Sequence, residues 1–151
     1  MIDAQEAKWI NVTPPAAISD NKDLTTNEID TLGWDYLEIA VVLGATDIAM
    51  ATLKVCEGDA TGEATEDITG LVFGTSLKID GVKSALPSAT DDDKIFLCQI
   101  DLRGRKRYID VAAKSGDGTA GTYCAIVARL SRGKVLPSDA AGAGAAAILR
   151  V

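Results

Sequence analysis

Five carboxylates, Glu57, Asp59, Glu63, Glu66 and Asp67, crowd one glycine-containing stretch with no basic residue among them. Two such groups facing one cleft at a fixed separation would have the makings of glycoside hydrolysis. Asp91-Asp92-Asp93 is a second acidic run, and hard cations such as calcium take several oxygens from one loop. It lacks both the DxDxDG spacing and a distal Glu, so it reads as a solvated turn that opens a strand. Nothing in the sequence marks a cleft around the first cluster, which reads as a polar loop at the end of a β-sandwich.

Other chemistry has few residues to work with. The chain contains no histidine. That removes the commonest general base and the commonest zinc ligand. Cys56, Cys98 and Cys124 are odd in number, far apart in sequence and outside any CxxC spacing. They read as buried thiols made in a reducing compartment rather than as a disulfide framework or a zinc site. No serine lies in GxSxG, and GDGTAG at 116–121 is neither a P-loop nor a dinucleotide fingerprint. No catalytic residue, cofactor or metal is therefore expected. The one basic cluster is Arg103, Arg105, Lys106 and Arg107, beside Tyr108. It reads as a solvated hairpin tip guarding an edge, or as a docking site for an acidic protein surface. Four charges bind DNA only weakly at physiological salt.

Composition narrows the classes further. The 151 residues make one ordinary domain, 47% hydrophobic but only 5% aromatic, so the core rests on Val, Ile, Leu and Ala. A net charge of −7 disfavours nucleic acid as a partner and makes free copies repel. The first six residues lack a basic region followed by an apolar one, so no signal peptide is expected. No apolar run is long enough to span a membrane.

Short strands separated by Gly, Asp and Ser turns must position these residues. In WDYLEIAVVL at 34–43, Leu37, Ile39, Val41 and Leu43 share one face, the period of a strand. Further strands are expected at 48–57, 68–74, 94–102, 106–114 and 122–130, with 80–93 as loop and a hairpin turn at 103–105. Residues 25–33 fit either a helical turn or a strand. The whole predicts an all-β, antiparallel jelly roll or sandwich over 34–138. Residues 1–33 form an N-terminal arm with the first edge strand or strands, since Pro14-Pro15 excludes a helix interior or central strand. Residues 139–151 are an Ala/Gly-rich tail ending in a short strand, paired within the chain or with a neighbour.

Several of these segments carry a family pattern. A strand ends in Gly44-Ala45-Thr46, and the next carries Leu53-Lys54-Val55 into Glu57-Gly58-Asp59, a glycine-containing loop and Asp67-Ile68. Arg107-Tyr108-Ile109-Asp110-Val111, then TYCAIVARLSR and Pro137-Ser138, continue it. Over residues 34–138 the chain resembles the small jelly-roll cement, or head-decoration, proteins of tailed-phage capsids. Ala64-Thr65-Glu66 stands where those proteins often have an aromatic. The resemblance implies a non-enzymatic virion protein on the capsid surface, made in the host cytoplasm, clustered as a homotrimer and bound to the major capsid protein.

For that reading the expected contacts are Trp9, Pro14 and Pro15 in the arm, Arg103, Arg105, Lys106 and Arg107, and Ile148 and Leu149 in the tail. The alternative is a carbohydrate-binding jelly-roll module of a phage fibre or tail, stacking sugar rings on exposed aromatics such as Trp9 or Tyr108.

Overall fold

A computed structural model describes residues 6–16 and 18–149. It contains eight strands: β1 (Lys8–Thr13), β2 (Ile29–Asp30), β3 (Trp34–Thr46), β4 (Thr52–Gly58), β5 (Glu66–Val72), β6 (Ile95–Asp101), β7 (Tyr108–Lys114) and β8 (Thr122–Gly133). The alternation read in 34–43 decides the inner face of β3. Leu37, Ile39, Val41 and Leu43 are buried there, while Glu38, Ala40 and Val42 face outward. Ile109, Val111 and Ala113 of β7, and Cys124, Ile126, Ala128 and Leu130 of β8, repeat the pattern.

The strands form two antiparallel four-stranded sheets, ordered β1-β8-β3-β6 and β2-β7-β4-β5. Strand 1 pairs with 8, 2 with 7, 3 with 6 and 4 with 5, so the chain is one long antiparallel ribbon wrapped into a jelly roll. The inner faces meet in a single core that includes Val12, Ile29, Met50, Leu53, Val55 and Ile100. With few aromatics, Phe73 and Phe96 are the one ring pair among the described residues, edge-to-face at 5.8 Å between centroids.

This topology corrects several expectations. Residues 103–105 are not a hairpin turn: β6 pairs with β3 in one sheet and β7 with β4 in the other, so the segment crosses between sheets. β4 begins at Thr52 rather than 48, because Met50 donates its amide to the Pro87 carbonyl and turns its side chain into the core. Residues 80–93 carry half of a small hairpin and the 3-10 turn Ala89–Asp91. Residues 25–33 take the strand option, as β2.

The arm lies along its own body. β1 pairs with β8 and ends at Pro14-Pro15, both exposed, after which the chain crosses to the second sheet and runs beside β7, where Leu24 donates to Ala113. Residues 1–5 and Ala17 lie outside the described set. The tail folds as tight turns at 139–145, and neither Ile148 nor Leu149 is in a strand. The short strand expected to end the tail is thus absent among the described residues; Arg150 and Val151 lie outside them.

The loops at one end pin one another. The Asp47 carboxylate accepts the amides of Thr119 and Ala120, and Thr46 and Thr122 share a hydroxyl hydrogen bond of 2.6 Å. These amide donors hold the Asp47 carboxyl below its ordinary range.

Candidate functional site

The acidic and basic clusters meet each other. Glu57, at the end of β4, accepts from Arg105 Nη1 at 3.2 Å and from the Lys106 amide at 3.1 Å, with its side chain only 10% exposed. Lys106 Nζ sits 2.6 Å from Glu66 and 3.2 Å from Asp59. Arg107 forms a two-pronged pair with Asp30 of β2, at 2.8 and 2.7 Å, and Arg103 grips Asp101. The guanidinium groups hold the Asp30 and Asp101 carboxyls below the usual carboxylate range.

Four cations therefore face five carboxylates of the same chain, and the crossover from β6 to β7 is tied to β2, β4 and β5. This cluster is a structural clamp with no surplus positive charge. Most of its pairs are exposed and contribute little to stability. Glu57 is the exception. Replacing it with Gln removes the charge from two hydrogen bonds in a buried setting and should destabilise the fold by about 1–3 kcal/mol. Asp30→Asn should cost no more than about 1 kcal/mol. Urea unfolding of the two variants checks the contrast.

The three consecutive aspartates do not converge. Asp91 accepts the Ser88 amide at 3.0 Å and pairs with Lys94, completing a capping box. Asp92 accepts the Thr46 amide at 2.8 Å, and Asp93 stands exposed at φ +61°. Among the described residues no group of three or more Cys, Asp or Glu side chains could hold a metal ion.

Cys56, Cys98 and Cys124 are buried and unpaired by disulfides. Burial pushes each thiol up to about 11, with the Asp67 carboxylate adding to the effect at Cys56. A thiol pKa raised from 9.0 favours the folded state below pH 9, and that contribution fades as pH climbs from 9 towards 11. Native protein at neutral pH should give almost no fast reaction with a thiol reagent such as DTNB, and all three thiols should react in denaturant.

Exposed aromatics are separated. Trp9 and Tyr123 are each close to half exposed, on the outer face of the first sheet. Trp9 pairs with Arg129, six residues along β8 from Tyr123, which sets the two rings about 20 Å apart. Arg107 covers Tyr108 at 4.9 Å, and Arg132 covers Tyr36 at 5.6 Å. No two exposed aromatics among them form a platform for one sugar.

What remains is apolar surface, in two places. The first lies where the tail meets β1. The Trp9 amide donates to the Ala143 carbonyl at 2.9 Å, and Asp139 Oδ1 accepts the Gly142 amide at 2.7 Å, so the tail turns close over the β1 edge. Small side chains allow this approach. Trp9 of β1 and Val135, Leu136, Ile148 and Leu149 of the C-terminal segment are exposed, Leu149 at 97%. Of the expected contacts, Trp9, Ile148 and Leu149 are all exposed, and the Trp9 amide is bonded to the tail at Ala143. Pro14 and Pro15 are exposed just beyond β1, while the four basic residues are used internally.

The second surface went unnoticed in the sequence. Residues 76–84 form a hairpin, with Lys78 and Val82 bonded across it and Gly81 at φ +78°. Leu77, Ile79 and Val82 stand in solvent; Leu77 and Ile79 share a groove with Leu97, which like Ile95 is exposed on the outward face of β6. The signal was Asp80-Gly81 between alternating apolar residues, a short-hairpin pattern.

No protein-family model matches the chain, and a search of curated proteins finds no match. Fold and surface together define an eight-stranded jelly roll with two apolar faces. Among the described residues no helix is long and apolar enough to cross a membrane.

Proposed function

We propose that this chain is a non-enzymatic virion structural protein that binds the outer surface of a phage capsid and cements the lattice of major capsid protein. The jelly roll by itself does not decide the matter, because the architecture serves capsid proteins, lectins and others. The observation that carries the reading is the set of exposed apolar side chains on β1 and on the tail that bonds to its edge. Exposed apolar surface marks protein–protein contact, and aliphatic side chains suit a flat protein surface better than a sugar. The similarity of residues 34–138 to decoration proteins points the same way. Each copy needs only a modest contact, because placement as a homotrimer on a repeating lattice multiplies affinity.

The test is cosedimentation with expanded empty capsids of the phage that encodes the chain. Wild-type protein should saturate at a fixed ratio to major capsid protein. Leu149→Asp should weaken binding about tenfold or more, as expected for an apolar anchor turned into an unpaired charge. Failure of wild-type protein to bind would overturn the reading.

A further inference from the structure

The four sheet edges are treated differently. The β1 edge is covered by the chain's own tail, through Trp9 and Ala143. β2 is only two residues long. β5 is bulged: Lys54 pairs with Val72 but Cys56 with Asp67, so β5 carries extra residues, including Gly70 at φ +92°. Short strands, bulges and covering segments are the usual ways of blocking edge-to-edge pairing. β6 has none of them. It pairs in unbroken register with β3 alone, and its sequence, IFLCQID, contains no Lys, Arg or Pro.

Beside this open edge runs a groove of about 460 Å³, lined by Leu71, Phe73, Leu77, Ile79 and Leu97 among others. The Ile79 side chain at the hairpin tip is fully exposed, and Leu77 and Leu97 are 67% and 60% exposed.

We infer that the β6 edge and the 76–84 hairpin form the surface through which one copy of this chain binds a second copy. Two observations select that occupant. The first is charge. The chain carries −7 overall, so most approaches between copies are repulsive. Here the hairpin's Lys78 and Asp80 pair with each other at 3.0 Å, and the outward side chains Ile95, Leu97 and Gln99 are neutral. The hairpin's exposed Lys83 adds positive charge, so two copies can meet at this surface without bringing their excess negative charge together. The second is area. Leu77, Ile79, Val82, Ile95 and Leu97 together expose on the order of 600 Å², the bulk of the roughly 800 Å² per partner in a standard interface. A projecting apolar hairpin and an apolar groove also lie side by side, so one copy offers both halves of a contact. The inference deepens the cement reading, which supposes a homotrimer, by naming the surface that joins its subunits.

The test needs no capsid. Sedimentation velocity of the full chain across a concentration series should show a concentration-dependent oligomer. Leu97→Lys and Ile79→Lys, both at exposed positions, should each raise the dissociation constant about tenfold or more while leaving the circular dichroism spectrum and melting temperature unchanged. Hydrogen exchange at the β6 amides should slow as concentration rises. Wild-type protein that stays monomeric at every soluble concentration would overturn the inference, as would an oligomer that both variants leave intact. Leu149→Asp should leave self-association untouched. Wild-type protein that self-associates but does not bind capsids would therefore count against the cement reading alone, and wild-type protein that binds capsids but stays monomeric against this surface alone.

Discussion

Ile126→Ala is expected to lower the free energy of unfolding by about 2–5 kcal/mol, the range for truncating a large aliphatic side chain inside a close-packed core. Ile126 is fully buried on β8, which lies between β1 and β3. Its backbone pairs with Val41 on one side and Thr13 on the other. A cavity there is bounded by strands that are themselves held on both flanks, so collapse to fill it is restricted. With so few aromatics, the core is made of many mid-sized aliphatic contacts, and the rings of Trp34, Phe73 and Phe96 pack against it only partly buried. Urea denaturation monitored by Trp fluorescence measures the change. A loss below about 1 kcal/mol would mean that the sheets slide together more freely than close packing permits.

Gly144→Ala is expected to detach the tail while leaving the body folded. Gly144 sits at φ +73°, a left-handed conformation that costs a residue with a Cβ about 1–2 kcal/mol. An added Cβ would also overlap the Trp9 carbonyl oxygen. That oxygen belongs to a backbone held in the β1–β8 pairing, so the tail must yield. The Trp9 amide then loses the Ala143 carbonyl, and its hydrogen exchange should speed up at least about tenfold. The melting temperature should shift by only a few degrees, because Ala143 is the one buried hydrophobic residue of the described tail. On the proposed cement function, capsid binding should also fall, since the tail that carries Ile148 and Leu149 would no longer be fixed to β1. Unchanged exchange at Trp9 would show that the tail is not clasped as described.

The basic cluster shows how far spacing alone can be read. Arg103, Arg105, Lys106 and Arg107 looked like a patch because their partners are remote in sequence: Asp30 and Glu57 lie 77 and 48 residues from the arginines they bind. Only the jelly-roll wrap brings β2 and β4 alongside the crossover. The same wrap makes the 103–105 segment cross between sheets, although a Gly between two strands is equally the mark of a hairpin. By contrast, the inner faces of β3, β7 and β8 were legible directly, because a period of two survives any arrangement of strands that buries one face.

An all-β domain with a Val/Ile/Leu core, strands near their observed positions and the lack of a histidine for acid–base work were legible in the chain. These follow from local alternation, turn residues and composition, which need no knowledge of distant neighbours. Tertiary structure decided which charges cancel, that the tail closes over β1, and that β6 is the edge left open. Each of these depends on which strands become neighbours, and that choice is made by long-range pairing of the ribbon. The exposed hairpin at 76–84 shows the division most clearly. Its Asp-Gly turn is written locally, but its apolar side chains become a surface only because the fold sets Leu77 and Ile79 beside Leu97.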